Sequence, residues 1–416
     1  MLPPPLNAPE NPQSRLRMLD ALRGLALAGI LLMNIEFFSR WLLDQSLRID
    51  PAAGAAGIAG WLVYVFVQGK FWLLFAMLFG IGFALMQERL EANGRPFVRI
   101  QVRRSLALIG FGLLHTVLLW PGDVLLIYGL AALILLAFRR LPEIVLWLTG
   151  VGLYLGVALF SLLVAGALSL LPADALTELG EISASAEQIA AVDAIYRDGS
   201  FLAITLQRLA DLADLAAAIV MGQLPMALGA FLIGLWLWRS GRLRDPAAHR
   251  RFWTLGLVIG AVLGGALTAL SLSVGTQLSL ITEPGTTLLA QSWMLLANPG
   301  LALVWLAGVV LLWQTSIGAR VLGLLAPAGR MALTHYLTQS VICSLLFYGY
   351  GLGWYGQLDR LEQVLLALAL VAAQWLVSPL WLSAFHYGPA EWLWRWLTYG
   401  ERPPFRKAAV RGPAQP

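Results

Sequence analysis

Ten apolar runs, each long enough to cross a bilayer, leave this chain few ways to fold. They occupy roughly residues 18–38, 68–88, 101–119, 122–138, 142–170, 216–238, 252–273, 290–313, 331–352 and 361–384. A helix rises about 1.5 Å per residue, so about 20 residues cover the roughly 30 Å of hydrocarbon in a membrane. Of 416 residues, 59% are hydrophobic and only 12% charged. A soluble domain is about 45–50% apolar and about 25% charged, so this chain has too little polar surface to cover its apolar mass. A membrane β-barrel would alternate apolar and polar residues in short segments instead of running continuously. The expected fold is all-α: a polytopic membrane helical bundle of about ten transmembrane helices.

Residues 1–14, rich in Pro and Asn, read as a disordered tail. Residues 15–400 read as a single transmembrane domain and 401–416 as a C-terminal tail. Arg15 and Arg17 precede the first run as in a signal peptide, but no early small-residue cleavage site follows, which favours an uncleaved span. Segment 56–67 either lies in the interface or extends the second span. Gly260 and Gly264 form a GxxxG, expected to serve close packing within the bundle.

Loops on the cytoplasmic side of a membrane protein carry the excess of Lys and Arg. Of 28 such residues, Arg23 and Lys70 fall inside or at the start of spans, and only Arg40, Arg48, Arg197, Arg208 and Arg360 fall in one alternate set of loops. All the others belong to the opposite set, which also holds the two tails, so both termini are expected to be cytoplasmic. The net charge of +5 then reports topology. No basic run interleaves with exposed aromatics, so no nucleic-acid partner is expected; the lipid bilayer is. The longest outer loop, about 172–215, is acidic (Asp174, Glu178, Glu181, Glu187, Asp193, Asp198). Ser185 and Gln188 form a capping box, a helix with Ile189, Val192 and Tyr196 on one face follows, and Gly199 stops it. A lid and a solvated connector both fit this loop.

A charge or histidine inside hydrocarbon needs a partner or a function. Towards the outer side lie Asn34, Glu36, Lys70, His115, Asp123, Tyr348 and Tyr350. Trp120-Pro121-Gly122 turns the chain tightly, so Asp123 can fold back on the His115 helix. A carboxylate on one imidazole nitrogen fixes the tautomer and leaves the other as a base. Alternatively His115 only packs the bundle and Asp123 caps the next helix. Towards the cytoplasmic side lie Asp20, Arg23, Arg103, Arg104, Arg330, His335 and Gln339. Such arginines suit a phosphate-bearing ligand, although positive-inside anchoring and an Asp20–arginine salt bridge are simpler roles. His249 and His386 read as solvated. Four histidines scattered along the chain, with Cys343 alone, provide neither a metal site nor an intramolecular disulfide. There is no Walker loop, HExxH or GxSxG, and Gly80-Ile81-Gly82 lacks the rest of a dinucleotide fingerprint.

Several stretches resemble the YeiB-like bacterial inner-membrane proteins. They are Arg17–Gly24 (RMLDALRG) with Gly29–Asn34, Lys70–Gly80, His115–Asp123, Gly329–Ser340 (GRMALTHYLTQS) with Phe347–Gly353, and Gly388–Tyr399. His335 stands where that family often has Asn. The resemblance implies a multi-pass protein of the bacterial cytoplasmic membrane. The family is in turn distantly similar to the transmembrane acyltransferases, including heparan-alpha-glucosaminide N-acetyltransferase, through the Leu-Asp-x-x-Arg-Gly opening and the order of the early spans. That similarity implies an enzyme moving an acyl group from a cytoplasmic acyl-CoA, the co-substrate, to an extracytoplasmic glycan or lipid. No tightly bound cofactor is expected. His115, oriented by Asp123, would be general base, Asn34 or Lys70 would stabilise the oxyanion, and Arg23, Arg104 and Arg330 would take the phosphates. His335, Gln339 and Tyr350 complete the expected binding residues. A small-solute permease and a non-catalytic membrane partner are the alternatives. An acyl donor could meet an outer His115 only through a tunnel inside the protein.

Overall fold

A computed structural model describes residues 12–172, 185–280 and 282–407. The described chain is helical apart from one antiparallel pair of two-residue strands, β1 (Leu47–Arg48) and β2 (Gln277–Leu278). The helices in order are α1 (Pro12–Phe38), α2 (Ala55–Phe66), α3 (Lys70–Ala92), α4 (Phe97–Leu118), α5 (Leu125–Phe138) and α6 (Glu143–Ser169). After the undescribed residues come α7 (Ala186–Asp198), α8 (Phe201–Ala218), α9 (Leu224–Arg239), α10 (Arg250–Val274) and α11 (Pro284–Trp313). The chain closes with α12 (Ser316–Leu322), α13 (Ala326–Arg330), α14 (Ala332–Phe347), α15 (Arg360–Ala384) and α16 (Pro389–Tyr399).

Seven helical stretches among the described residues are long and apolar enough to cross a membrane, including α2 joined to α3 and α8 joined to α9 through a π-helical turn at Ile219–Gln223. The chain is a multi-pass membrane protein. Three of the ten expected spans correspond to helices outside this set. α4 is of full length but carries Arg99, Arg103 and Arg104. α5 has 14 residues and α14 has 16, so they reach only about 21 and 24 Å. That is short of a bilayer core, and their ends must stop inside the protein. The polar site lies at the start of α5 and in the middle of α14.

At the centre α3 packs on α9, which also contacts α5 and α6; α1 runs beside α13, α14 and α15; and α16 packs on α4. α10 lies along α11, where a Cβ on Gly260 would sit 2.5 Å from the Gly300 carbonyl oxygen. The GxxxG thus serves packing within the chain, as its sequence suggested.

The bundle has an arginine-rich end, formed by the start of α1 and α4, the approach to α14 and helix α16, and an opposite aromatic end. The aromatic end gathers Phe37, Phe38, Trp41, Trp120, Tyr196, Tyr348 and Tyr355 into one buried cluster. α7 starts at the expected capping box, with Ser185 and Gln188 each bonded to the other's backbone, and ends at Gly199. Its Ile189, Val192 and Tyr196 face packs onto the aromatic cluster. The described part of the long loop is therefore a packed layer; Asp174, Glu178 and Glu181 lie outside the described residues.

Candidate functional site

The α4–α5 hairpin places the first two groups. α4 loosens at its last turn, where the amides of Leu119 and Trp120 both donate to the His115 carbonyl. Trp120 then stacks on Phe38 with centroids 4.6 Å apart and donates its indole N–H to the Phe37 carbonyl. This anchor folds residues 121–124 back along α4. A Cβ on Gly112 would lie 2.3 Å from the Leu126 nitrogen and 2.7 Å from Asp123 Oδ2, so a glycine is needed for the two helices to meet this closely.

Asp123 then does two things at once. Oδ2 accepts from the Leu126 amide at 2.7 Å, which caps α5. Oδ1 comes within 3.0 Å of His115 Nδ1, without the in-line geometry of a hydrogen bond. The sequence posed capping and histidine orientation as alternatives; the carboxylate has an oxygen for each.

The other side of the imidazole is met by α14. His115 Nε2 is 2.8 Å from Ser340 Oγ. The Tyr336 ring, one turn away on the same helix, stacks on the imidazole at 4.9 Å. The Tyr336 hydroxyl lies 3.4 Å from both Asp123 Oδ1, to which it donates, and the Val124 amide, from which it accepts. His115 and Ser340 are each 2% exposed and Asp123 6%. Serine, histidine and aspartate thus stand in line in a dry part of the bundle, an arrangement suited to moving a proton off a hydroxyl.

A cavity of about 310 Å³ leads towards this group from the arginine-rich end. Arg23, Arg104, Arg330 and Arg395 surround its mouth, and Val124, Leu125 and Tyr336 are among its lining residues, directly against the His115 group. On the α1 wall, Arg23 to Ile30 accounts for about 10 Å of depth. Asp20 pairs with Arg23 at 2.6 Å, as one sequence reading allowed. Arg104, Arg330 and Arg395 have no carboxylate within ion-pair distance among the described residues; Arg104 stacks on Trp394 at 4.1 Å and Arg395 on Tyr387 at 4.6 Å. The mouth thus presents three guanidinium groups without a carboxylate partner among the described residues. Glu391 closes one wall: it accepts from the amides of Leu333 and Thr334 and from the Thr334 hydroxyl, so it caps α14 and fastens α16 beneath it. Burial pushes its carboxyl above the ordinary value, against those hydrogen bonds, which pull it down.

Among the described residues, buried polar groups tie the aromatic end together. Arg208, fully buried, donates to the Val117 and Leu118 carbonyls that end α4, and to the Tyr350 hydroxyl. Asp211, also fully buried, accepts from Trp41, Tyr196 and Gln207.

Several expected residues go elsewhere. The groups bonded to or stacked on the imidazole are Asp123, Ser340 and Tyr336, so Asn34 and Lys70 are not poised there as oxyanion donors. Lys70 is fully buried and donates to the Tyr64 carbonyl and to Met294 Sδ. Asn34 is half-buried. His335 and Gln339 bond Ser378 and Gln374 of α15, away from the cavity. Tyr350 belongs to the aromatic end. His386, read as solvated, lines the cavity mouth instead. Ser340, Tyr336, Trp394 and Arg395 had no role assigned from sequence. The available signal was the i, i+4 pair Tyr336/Ser340, about 100° around α14 from the His335/Gln339 pair.

The family model of a protein of unknown function (DUF418) matches residues 237–401. The uncharacterized protein YxaH of Bacillus subtilis (strain 168) is 34% identical over 413 residues, spanning 94% of this chain and 96% of its own. The uncharacterized protein YeiB of Escherichia coli (strain K12) is 34% identical over 394 residues, spanning 91% and 95%. This chain belongs to the YeiB-like family. An uncharacterized 39.9 kDa protein from the amylase 3' region of Bacillus acidopullulyticus is 26% identical over 394 residues. The stretch matched by the family model contains Arg330, Tyr336, Ser340 and Arg395, whereas His115 and Asp123 fall in the part covered by the whole-length relatives. No solved structure matches the chain.

Proposed function

We propose that the protein is an acyl-CoA-dependent transmembrane acyltransferase of the bacterial cytoplasmic membrane, with ten spans and both termini in the cytoplasm. The observation that carries this reading is the cavity: four arginines and Tyr336 are among its lining residues, and the Tyr336 ring stacks on His115 of the Ser340–His115–Asp123 group. The 5′-diphosphate and 3′-phosphate of coenzyme A would bind Arg104, Arg330 and Arg395, whose planar guanidinium groups make paired charge-assisted bonds to phosphate oxygens. The pantetheine arm would run between Ile30, Phe75 and Leu108. His115, with Nδ1 facing Asp123 and Nε2 free to accept, would take the proton from the attacking hydroxyl or amine. The acceptor would be an extracytoplasmic glycan or lipid headgroup.

The charge distribution supports this orientation. Of the five basic residues in the minority set, Arg40, Arg48, Arg197 and Arg360 each pair with a carboxylate on the same side, and Arg208 is fully buried. The aromatic end thus shows little uncompensated positive charge, as a translocated face should.

The test is thiol release by purified protein from acetyl-, butyryl- and palmitoyl-CoA. Release that falls by about a hundredfold or more in His115→Ala supports the reading, because general-base catalysis contributes about 10²–10⁴. Equal background release from both proteins with every chain length overturns it.

A further inference from the structure

We propose that Ser340 carries the acyl group as a covalent ester between two half-reactions; this rests on the acyltransferase reading and supplies its intermediate. Two independent observations lead here. The first is the hydroxyl's place: Ser340 Oγ is 2.8 Å from His115 Nε2, and its other contact, to the Tyr336 carbonyl, is longer at 3.3 Å. With the Asp123 carboxylate beside Nδ1, the tautomer protonated at Nδ1 is favoured, and it leaves Nε2 to accept from Ser340. The second is the shape of the molecule. The cavity approaches the site from the arginine-rich end, while among the described residues Arg208, Asp211 and Trp120 tie the aromatic end together. A donor from one side and an acceptor from the other do not share one open space. An ester on Ser340 lets them react in turn.

The Tyr336 ring stands between the cavity and Ser340. Both hydrogen bonds of its hydroxyl measure 3.4 Å, the long limit for such bonds, so core packing and the stack on His115 hold the ring more than its hydroxyl does. Its rotation would admit the thioester. In the first half-reaction Ser340 Oγ attacks the thioester carbonyl carbon and its proton passes to His115 Nε2. The C–S bond then breaks, and the imidazolium returns the proton to the departing thiolate, leaving free coenzyme A and the serine ester. In the second, an acceptor hydroxyl or amine gives its proton to His115 and attacks the ester carbonyl. The bond to Ser340 Oγ breaks, and the oxygen takes the proton back. No electrons are gained or lost.

The test omits any acceptor. Purified protein is incubated with acetyl-CoA and isotope-labelled free coenzyme A, and label entering acetyl-CoA is followed beside thiol release. Expected are exchange by wild type and an acetyl group on the tryptic peptide containing Ser340. Exchange should drop at least about a hundredfold in Ser340→Ala. Ser340→Cys should trap a hydroxylamine-sensitive thioester, which shows that the position reacts even where the alanine variant folds poorly. Thiol release without exchange, equal in wild type and Ser340→Ala, means that water attacks the thioester with no ester on Ser340, and overturns the serine ester while leaving the acyltransferase reading standing. An acetyl group found on another residue also overturns it. Absence of both exchange and thiol release in wild type overturns the serine ester alone, because an enzyme that transfers directly is also silent without its acceptor.

Discussion

Replacing Asp123 separates the two tasks its oxygens perform. In Asp123→Ala, α5 loses its cap, which costs about 0.5–2 kcal/mol. His115 Nδ1 is then left in a dry site without its carboxylate, which adds about 1–3 kcal/mol. Tyr336 keeps one partner, because the Val124 amide still donates to its hydroxyl. The expected loss is about 1.5–5 kcal/mol. Asp123→Asn keeps the shape and a side-chain oxygen for Leu126, and Asn caps as well as Asp, so its loss should stay below about 1 kcal/mol. The charge that orients His115 is gone, however, and thiol release should fall by as much as about 10⁴, the effect of the same change in a serine–histidine–aspartate triad. Equilibrium unfolding in mixed micelles measures the first quantity and free-thiol detection the second. The reasoning fails if Asn destabilises as much as Ala, or if the Asn protein releases thiol at the wild-type rate.

Three further outcomes follow from the same geometry. Arg104→Ala should weaken binding of coenzyme A about 10–100-fold, from the loss of one charge-assisted phosphate contact of about 1.5–3 kcal/mol, and should reduce its salt dependence; titration calorimetry at two salt concentrations checks it. Arg208→Met leaves the Val117 and Leu118 carbonyls at the end of α4 and the Tyr350 hydroxyl without this donor, so stability should fall by about 2–4 kcal/mol while coenzyme A binding at the other end is unchanged. For Glu391 the sign follows from burial: with its carboxyl raised above the ordinary value, the folded chain holds the proton more tightly than the unfolded one. Anchoring of α16 is then strongest at acid pH and weakens as pH rises through the folded value. Amide exchange in α16, corrected for its intrinsic pH dependence, should speed up as pH rises above the ordinary carboxylate value in wild type and stay level in Glu391→Gln.

The fold was legible because hydrocarbon leaves a chain so little choice. Long apolar runs must be helices there, Ser185/Gln188 and Gly199 mark the ends of α7 as they would in water, and Gly260/Gly264 mark a close crossing. The hairpin at Trp120-Pro121-Gly122 and the meeting of His115 with Asp123 could be read from a tight turn and two polar side chains. Depth alone misled elsewhere. Lys70 shares a level with His115, yet the Tyr64 carbonyl and Met294 satisfy it, and no sequence pattern announces a backbone carbonyl as a lysine's partner. On α14, two polar stripes lie side by side: His335/Gln339 and Tyr336/Ser340. Which stripe meets α4 and which meets α15 depends on the rotation of that helix, a tertiary fact. The arginines posed the same difficulty. Arg395 looked like one more positive anchor until α16 folded under the cavity and brought it to Arg104 and Arg330.

The most direct trial of the account is a cryo-electron microscopy map of the protein with a thioether analogue of acetyl-CoA, which binds but cannot transfer. Phosphate density is expected against Arg104, Arg330 and Arg395, with the acyl end at Tyr336, within reach of Ser340. Density at the aromatic end, or an empty arginine cavity at a concentration that saturates binding, would contradict it.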